Sequence, residues 1–354
     1  MRAAVCRKFG APLVLEEVKL ARPARGEVTV RVQAVGVCHS DITYMDGRWG
    51  GLLPAVYGHE VAGVVTRAGA GARLAEGDHV VVTLVRSCGI CFFCTRGEPT
   101  QCEGRFALDT RGAMRTARGG RLVQGLRVGG FADEVTVHAS QAVRVPASIP
   151  FPSACLLSCA VATGVGAVRN TAQVPAGASV VVVGAGGVGI NSVQCAVLAG
   201  AGPIIAIDVS PSRLRTARRF GATHTLTPDR AASVKRITRR GADYTIVTSG
   251  NPAAVQLGLG LSRRGGTVVI VGMTASDETV AINPGDVADS ATRILGCKLG
   301  ASRPQVDIPE LVDLYSSGRL NLDELVTATF PLEGINDAIT ATRRGEGLRN
   351  VVVP

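Results

Sequence analysis

The amino-acid sequence predicts an α/β protein built from a mainly-β part and a part with a doubly wound parallel sheet. The chain has 354 residues, which is long for a single hydrophobic core. Short strand-like runs broken by Gly and Pro fill roughly the first 150 residues, and from about residue 160 apolar strand runs alternate with longer helical segments. Hydrophobic residues make up 46% of the chain and aromatic residues only 4%, with 44 glycines, which is typical of a compact α/β protein.

Valine-rich runs predict the strands of the mainly-β part. They cover residues 28–37, 61–66 and 79–84. The second part has four apolar strands separated by helical segments, so we expect consecutive strands to lie parallel. These strands are predicted at residues 179–183, 204–207, 244–248 and 267–271.

The carboxyl-terminal stretch returns to a less regular pattern. Helices are predicted over residues 309–317 and 334–344, and the chain ends in the strand-like run 351–353. We expect this stretch to rejoin the first part. The predicted domains are therefore 1–160 together with 299–354, and 161–298.

Charge and cysteine content exclude several classes of protein. The net charge is +10, but the arginines are spread over much of the chain and lack interleaved aromatic residues, so we expect no nucleic-acid partner. Ten cysteines, four of them clustered, indicate metal binding in a reducing compartment and hence a cytoplasmic protein. The sequence has no long apolar signal segment and no run near 18 apolar residues, which predicts no membrane span.

A glycine-rich motif predicts a nucleotide site. The strand-like run 180–183 leads directly into Gly-Ala-Gly-Gly-Val-Gly at 184–189, and the helical stretch 191–198 follows. In this context the glycines permit a tight turn and the close approach of a pyrophosphate to a helix amino terminus. Asp208 follows about 20 residues later, where a carboxylate accepts hydrogen bonds from the ribose of NAD and repels the extra phosphate of NADP. The motif residues are Gly184, Gly186, Gly187, Val188 and Gly189.

The spacing of cysteine and histidine predicts two zinc sites of different kinds. Four cysteines spaced C-x2-C-x2-C-x7-C can close a tetrahedron of thiolates around Zn²⁺, which leaves no position for a substrate. Cys38, His59 and a later cysteine offer only three ligands, and such a site keeps a fourth position open for water or substrate. The four clustered cysteines are Cys88, Cys91, Cys94 and Cys102.

Several motifs resemble those of the zinc-dependent medium-chain alcohol dehydrogenases, in the same order and over nearly the whole chain. They are Gly-Val-Cys-His-Ser-Asp at 36–41, Gly-His-Glu at 58–60 and Ser-Cys-Ala-Val-Ala-Thr-Gly at 158–164. The resemblance implies that the first predicted domain is a GroES-like catalytic domain and the second a Rossmann domain that binds NAD. It also implies that the catalytic zinc has three protein ligands, Cys38, His59 and Cys159.

The same resemblance assigns roles around that zinc. The substrate alkoxide would be held on the metal, and Ser40 would hydrogen-bond its oxygen and pass the proton outward while the carbon gives hydride to the nicotinamide. Asp41 would orient His59, and Glu60 would lie behind the metal and approach it during ligand exchange. Surface or loop carboxylates are the alternative interpretation of both acids.

The family pattern further implies contacts to the cofactor and the substrate. Arg213 is expected beside the adenosine ribose, and Arg349 and His39 near the pyrophosphate. Thr163 and Met273 are expected near the nicotinamide. The candidate walls of the substrate pocket, which suit a medium-sized apolar or aromatic alcohol, are Tyr44, Trp49, Leu84 and Phe131.

Two features set this sequence apart. Thr43 stands where many family members have a histidine that carries the proton to solvent, so a water chain or the ribose hydroxyl would replace it. Residues 105–127 hold six arginines and one acid, and this segment could steer an anionic substrate to the site. We favour a solvated Gly/Arg hairpin, because no aromatic or acidic partner is evident to fix its geometry.

Other functions stay open at this point. A formaldehyde-type dehydrogenase that acts on a thiol adduct, or a polyol dehydrogenase, fits the same motifs. The complete ligand sets argue against a zinc-free reductase, and a nucleic-acid-binding zinc protein would leave Cys38, His59 and the nucleotide motif without a role. The sequence therefore predicts an NAD-dependent oxidoreductase for an alcohol and its aldehyde or ketone, with two zinc ions per chain, in a homodimer or homotetramer.

Overall fold

The computed structural model describes residues 1–354 and divides the chain into two compact units. The first unit comprises Met1–Cys159 and Arg303–Pro354, and the second comprises Ala160–Ser302. The second unit thus begins at residue 160 rather than at the predicted 161, and ends at 302 rather than 298.

The helices and strands follow in chain order. Up to residue 159 they are β1 (Arg2–Cys6), β2 (Val14–Leu20), β3 (Glu27–Gly36), α1 (His39–Met45), β4 (Ala55–Val56), β5 (Glu60–Ala68), β6 (His79–Val82), α2 (Phe92–Thr95), α3 (Ala107–Arg111), β7 (Met114–Thr116), β8 (Arg121–Gln124), β9 (Glu134–His138), β10 (Ala142–Arg144) and α4 (Phe151–Ala154). In the second unit they are α5 (Ala160–Gly166), β11 (Val180–Val183), α6 (Gly187–Leu198), β12 (Ile204–Ile207), α7 (Pro211–Arg219), β13 (His224–Leu226), α8 (Ser233–Thr238), β14 (Ala242–Val247), α9 (Pro252–Leu261), β15 (Ser262–Ile270), α10 (Pro284–Ser290) and β16 (Arg293–Gly296). The remainder are α11 (Pro304–Ser316), β17 (Val326–Pro331), α12 (Ile335–Arg343) and β18 (Arg349–Val353).

Two β-structures form the first unit. A closed barrel has the strand order β1-β2-β7-β8-β4, in which only the β4–β8 pair is parallel. A second sheet has the order β10-β6-β5-β3-β18-β17, with β9 also paired to β3. The last strand lies antiparallel to β3, with Val352 opposite Val35. The carboxyl-terminal residues therefore complete the sheet that carries β3 and β5.

The second unit is a six-stranded parallel sheet in the order β13-β12-β11-β14-β15-β16. Strands β11 and β12 consist of Val, Ile and one Ala and are buried, as expected for a parallel sheet covered on both faces. The strand order reverses between β11 and β14, which is the usual place for a ligand in a doubly wound sheet. The predicted α/β fold class, with a mainly-β part and a doubly wound part, is confirmed.

One predicted helix begins at a different proline. The sequence placed its start at Pro309, whereas α11 begins at Pro304, where the missing N–H of proline has no helical partner to lose. The Asp307 carboxylate also accepts a hydrogen bond from the backbone N–H of Arg303 at 2.8 Å, which stabilises that end. Pro309 lies inside the helix.

None of the helices is by itself long and apolar enough to cross a membrane. Only two short bent helices taken together, Phe151–Ser158 and Ala160–Ala172, reach the required length and composition.

Candidate active site

The amino end of α1 places three candidate residues side by side. Cys38 precedes the helix directly after β3, and Ser40 and Asp41 lie in its first turn. Asp41 is fully buried, and its carboxylate accepts a hydrogen bond from the Cys38 backbone N–H at 3.4 Å. A buried carboxylate needs such partners, and here they also fix the geometry of the turn.

The same carboxylate fixes the segment before β5. Oδ1 of Asp41 accepts a hydrogen bond from the Gly58 N–H at 2.9 Å and lies 3.0 Å from Nδ1 of His59. Gly58 has φ +91°, and a Cβ there would lie 2.7 Å from the backbone nitrogen of Phe131, so only glycine fits. Asp41 thus contacts Nδ1 of His59, and Nε2 of the same ring faces Cys159.

Cys159, at the end of a short 3₁₀ turn, completes this cluster. Its Sγ lies 3.3 Å from Nε2 of His59. One ligand atom each from Cys38, His59, Glu60 and Cys159 all lie within 4.8 Å of one another, and all four residues are buried. A tetrahedral zinc with bonds of roughly 2.0–2.3 Å needs donor atoms about 3.5 Å apart, so this set fits the metal.

Glu60 lies next to the three N/S donors, and Arg349 lies next to Glu60. Glu60 is fully buried, and neither of its carboxylate oxygens has a hydrogen-bond partner. Nη1 of Arg349 lies 3.8 Å from Oε1 of Glu60, beyond hydrogen-bond distance. A buried carboxylate with no hydrogen bond is costly, and a bound cation would compensate it. Arg349, expected near a pyrophosphate, lies beside this carboxylate.

Burial and close contact shift the ionisation of the cluster. A hydrogen bond with the Cys159 thiol lowers the pKa of Cys38 and raises that of Cys159. Burial opposes protonation of His59, but the Asp41 carboxylate outweighs it and raises the pKa of the imidazole. Burial raises the pKa of Glu60 to about 7, although the Arg349 guanidinium opposes that shift. Cys159, His59 and Glu60 therefore hold their protons more tightly than usual, and a bound cation would have to displace those protons.

The remaining residues of α1 bear on proton transfer. Ser40 is half-buried and His39 is exposed. The Thr43 hydroxyl donates to the backbone carbonyl of His39 at 2.8 Å, so it serves its own helix. Thr43 therefore does not take over the role of the family's histidine in this structure.

The four clustered cysteines form a compact lobe, residues 88–102. One sulfur atom from each lies within 4.8 Å of the others, and all four residues are half-buried. Backbone N–H groups of Cys88 and Gly104 donate to Sγ of Cys102, both at 3.3 Å. Hydrogen bonds from backbone N–H groups stabilise thiolates. A closed set of four thiolates fits a structural zinc with no open position.

The arginine-rich segment 105–127 includes the predicted solvated Gly/Arg hairpin, because β7 pairs antiparallel with β8 and Arg115, Arg118 and Arg121 are exposed. It contains helix α3 and the barrel strands β7 and β8. Arg111 forms an ion pair with the buried Glu27, and the backbone carbonyl of Asp109 accepts a hydrogen bond from Arg121 at 2.6 Å. The expectation that no acidic partner fixes its geometry is wrong, because Glu27 pairs with Arg111. Nothing in the sequence indicated this partner, since Glu27 lies far from the segment along the chain.

Sequence reasoning also missed Arg86. This arginine is only 2% exposed, pairs with Asp109 at 2.5 Å, and lies over the ring of Phe106 with its Cζ 5.3 Å from the ring centroid. It follows an apolar run and belongs to no motif, so no signal in the sequence marked it.

The glycine motif of the second unit has the geometry of a nucleotide turn. Gly184 has φ +97°, and a Cβ at Gly189 would lie 1.8 Å from the Gly184 carbonyl oxygen. A Cβ at Gly186 would meet nothing within 4 Å, so the space above it is open. Helix α6 begins at Gly187, and Val188 lies in its first turn, so free N–H groups point toward that space. The residues fit a dinucleotide pyrophosphate.

Asp208 lies at the end of β12 next to this turn. Its Oδ2 accepts a hydrogen bond from the Ala185 N–H at 2.7 Å, and Arg213 Nη1 lies 4.0 Å away. The Thr163 hydroxyl is buried without a hydrogen-bond partner, whereas Met273 is 65% exposed. The Thr163 hydroxyl is therefore available to a ligand of the second unit.

The candidate pocket residues divide into two groups. Tyr44 packs edge-to-face against Trp49, with ring centroids 5.2 Å apart, and stacks on Tyr57 at 6.2 Å. Leu84 is only partly buried. Phe131 is fully buried in the core of the first unit, so it has no surface with which to form a pocket wall. Tyr57, which the sequence analysis did not name, joins the aromatic group.

Family models match both units. An alcohol dehydrogenase GroES-like domain matches residues 24–147, and a zinc-binding dehydrogenase domain matches residues 187–317.

Curated relatives match the chain over almost its whole length. It is 35% identical to an NDMA-dependent alcohol dehydrogenase of Amycolatopsis methanolica, over 99% of this chain and 98% of the relative. It is 35% identical to alcohol dehydrogenase B of Mycobacterium tuberculosis, over 99% and 97%. It is 32% identical to an S-(hydroxymethyl)glutathione dehydrogenase of Paracoccus denitrificans, over 99% of each.

Solved structures agree with these relatives. An alcohol dehydrogenase zinc-binding domain protein from Burkholderia ambifaria superposes with a TM-score of 0.94 at 37% identity, covering 100% of this chain and 98% of the other. Benzyl alcohol dehydrogenase from Acinetobacter calcoaceticus superposes with a TM-score of 0.92 at 32% identity, covering 99% and 98%.

Proposed function

We infer the activity from one premise: this chain belongs to the family of zinc-dependent medium-chain alcohol dehydrogenases. It is therefore an oxidoreductase that acts on alcohols. We propose that it interconverts an alcohol and its aldehyde or ketone with NAD as the cofactor and with two zinc ions per chain. The observation that carries this proposal is the convergence of Cys38, His59 and Cys159 on one buried point next to the Glu60 carboxylate, which has no hydrogen-bond partner.

Cys38, His59 and Cys159 would hold the catalytic zinc, and the four cysteines of the lobe would hold a structural one. When bound, the catalytic zinc supplies a Lewis acid that lowers the pKa of an alcohol, and NAD accepts the hydride. Two thiolates and an imidazole compensate the charge of the metal, and three protein ligands leave one position for substrate.

The protein's own residues position these groups and handle the proton. Asp41 holds the imidazole of His59 and the turn at Gly58 in place, so the donor Nε2 has a fixed direction. Ser40 would accept the proton from the alcohol oxygen while the carbon bonded to that oxygen gives hydride to NAD⁺, so one alcohol and one NAD⁺ would yield one carbonyl compound, one NADH and one proton. Glu60 places a negative charge behind the cluster and favours retention of a cation.

The proton leaves Ser40 by a route that does not use Thr43. The Thr43 hydroxyl already donates to the His39 carbonyl, so it is a poor next carrier. We propose that water or the cofactor ribose takes the proton. A Thr43→Val variant with parental kcat and an unchanged pH profile would support this, whereas a kcat loss of about 10² or more would make Thr43 the carrier.

The second unit would bind NAD at the turn 184–189. The open space above Gly186 admits the pyrophosphate, and the amino end of α6 supplies N–H groups and a favourable dipole. Asp208 would bind the adenosine ribose with Arg213 beside it, and would repel the 2′-phosphate of NADP. Thr163 and the backbone at Met273 would contact the nicotinamide, and Arg349 and His39 the pyrophosphate.

We propose an aromatic alcohol as the substrate class. Tyr44 lies one helical turn after Ser40 on α1, and Trp49 and Tyr57 extend an aromatic surface from it. The similarity to benzyl alcohol dehydrogenase, at 32% identity, supports the same class. A comparison of kcat/KM for benzyl alcohol and cyclohexylmethanol tests it, because the two differ mainly in the π-system, and equal values would argue against an aromatic preference.

A thiol adduct of formaldehyde is the second candidate substrate. The 32% identity to S-(hydroxymethyl)glutathione dehydrogenase favours it. The test is formaldehyde turnover with and without glutathione. A rate that depends strongly on the thiol would place this activity first.

We also propose a cytoplasmic homodimer or homotetramer. Ten cysteines without a disulfide suit a reducing compartment: six belong to the two metal clusters and four are buried elsewhere. Light scattering of the purified protein measures the subunit number.

The first experiment on this proposal measures zinc content together with NAD-linked and NADP-linked turnover over a panel of alcohols and aldehydes. About two zinc ions per chain and NAD-linked turnover are expected. One zinc ion and no turnover on any alcohol would show that the Cys38, His59 and Cys159 site does not form.

A further inference from the structure

Arg86 is a buried arginine outside both ligand sets. A buried guanidinium is costly unless its donors are satisfied. Its Nε donates to Oε1 of Gln141 at 2.8 Å and its Nη1 to Oδ1 of Asp109 at 2.5 Å. Its Nη2 donates to the backbone carbonyl of Arg127 at 3.3 Å. One rigid, planar group therefore ties together three separate segments of the chain.

The Arg127 carbonyl belongs to a strained turn. Leu126 and Arg127 have φ of +50° and +63°, a left-handed conformation that is unfavourable for residues with a Cβ. Nε2 of Gln141 donates to the same carbonyl at 3.1 Å. Because strained backbone persists only where surrounding contacts fix it, Arg86 and Gln141 hold this turn in shape.

The turn continues directly to the backbone beside the catalytic cluster. The Gly130 N–H donates to the Gly58 carbonyl at 2.7 Å. The Gly58 N–H donates to Oδ1 of Asp41 at 2.9 Å, and that oxygen lies 3.0 Å from Nδ1 of His59. A Cβ at Gly130 would lie 2.9 Å from the Gly58 carbonyl oxygen, so the two backbones are in close contact.

We propose that Arg86 is a positioning residue for the metal ligand His59. It acts through the Arg127 carbonyl, the turn 125–130 and Gly58. Without the guanidinium, residue 127 relaxes from its left-handed conformation, Gly130 shifts against Gly58, and the Asp41–His59 contact changes. The inference rests on the proposed function where its test measures alcohol turnover. Its second measurement, the absorption spectrum of cobalt(II) bound at the site, does not require turnover.

The test compares Arg86→Met with Arg144→Met. Arg144 is a matched arginine of the same unit, paired with Asp78 at 2.6 Å but 58% exposed. The measurements are zinc content, kcat and KM for benzyl alcohol, and the visible absorption of cobalt(II) loaded into the Cys38, His59 and Cys159 site. Arg86→Met should fold and bind metal, lose about tenfold or more in kcat, and shift the cobalt spectrum. Arg144→Met should match the parent within about twofold.

A second substitution separates positioning from simple packing. Glycine adopts a φ of +63° without strain, so Arg127→Gly should stabilise the turn when the clamp is absent. The double variant Arg86→Met with Arg127→Gly should have a kcat at least about threefold higher than that of Arg86→Met. The single variant Arg127→Gly is the control that shows the effect of the glycine by itself. A cavity left by the missing side chain would not be repaired in this way, so no recovery would overturn the role of the turn.

If Arg86→Met does not fold, the variant Arg86→Lys provides the test instead. Lysine retains the charge and the reach to Asp109, but one ammonium cannot also reach the Arg127 carbonyl in the planar geometry of the guanidinium. A folded variant with parental kcat and an unshifted cobalt spectrum would overturn the proposal. If the parent turns over no alcohol, the proposed function fails, and the cobalt spectra alone still decide the role of Arg86.

Discussion

The two cysteine-rich sites of the first unit are assembled in opposite ways. The four cysteines of the lobe lie within residues 88–102 and are half-buried. The catalytic set combines Cys38, His59 and Cys159, which are buried and come from the ends of three different elements. A local loop can close around a metal through its own chain geometry, whereas the catalytic set exists only when β3, β5 and the turn before residue 159 are in register.

This difference predicts how each site responds to damage. Changes in the lobe should act on the stability of the folded chain and on one metal. Changes around the catalytic set should act on turnover, even when they fall on residues that touch no metal, such as Asp41. The predictions below test this separation, from the largest expected effect to the smallest.

The replacement His59→Asn should abolish the catalytic site and spare the lobe. Asparagine is too short to reach the point where the three donors meet. Zinc content should fall by about one ion per chain, and kcat should fall by more than the ~10–100-fold that an outer-shell change produces. Metal analysis and steady-state kinetics measure both. Retention of the full metal content would remove His59 from the ligand set.

The replacement Asp41→Asn should lower turnover without removing either metal. Asparagine keeps the size of the side chain and an oxygen that can accept from the Gly58 N–H, but it loses the negative charge beside Nδ1 of His59. We expect a loss of about 10–100-fold in kcat or in zinc affinity. Asp46→Asn, at the end of the same helix, is the control. A variant as active as the parent would mean that the backbone alone orients His59.

The replacement Cys91→Ser should remove the zinc of the lobe and spare the catalytic site. It removes one thiolate of the lobe, so zinc content should again fall by about one ion per chain. The unfolding temperature should fall by roughly 5 °C or more, because a structural zinc contributes directly to folding. Calorimetry and metal analysis check this. If the catalytic metal were lost as well, the two sites would not be separable as the comparison requires.

An ion pair in the second unit supplies the smallest expected effect and includes no residue of either cluster. Burial opposes ionisation of Asp243, but hydrogen bonds from Ser179 and Arg263 outweigh it and lower the pKa of its carboxyl. A lowered folded-state pKa stabilises the protein above the ordinary pKa of the carboxyl, and this contribution is lost as the pH falls through the folded-state value.

The replacement Asp243→Asn should therefore remove about 1 kcal/mol or less from the free energy of unfolding at pH 7, and nothing at the acid end. Urea titrations at several pH values measure it. If the free energy of unfolding of the variant differed from that of the parent by the same amount at every pH, the ion pair would be excluded as the cause.

Local patterns in the sequence were sufficient for the parts of the molecule that are built locally. The spacing of the lobe cysteines predicts a set that the loop indeed brings together, and the glycine motif predicts the turn from β11 into α6. The predicted fold class is confirmed for the same reason, since periodicity is a local property. The metal and cofactor roles of these residues stay predictions.

Contacts between residues far apart in the chain could not be predicted from the sequence. Nothing near Arg349 indicates that it lies beside Glu60, and nothing near Arg111 points to Glu27, because both contacts depend on which strands pair. Phe131 was assigned to a pocket wall by family position and lies in the core instead. Arg86 carried no motif at all, although it has one of the most heavily bonded side chains of the first unit.

The pairing of β18 with β3 has a consequence for how the protein is made. The second unit is continuous in sequence, so it can fold during synthesis as soon as its own residues have left the ribosome. The first unit must wait, because its sheet lacks β18 and its buried carboxylate at Glu60 lacks Arg349 until residues that follow the second unit have been released. After the second unit has emerged and before β18 has done so, the nascent chain therefore carries a finished second unit and an unfinished first one, in which the carboxyl end of β3 has an open edge.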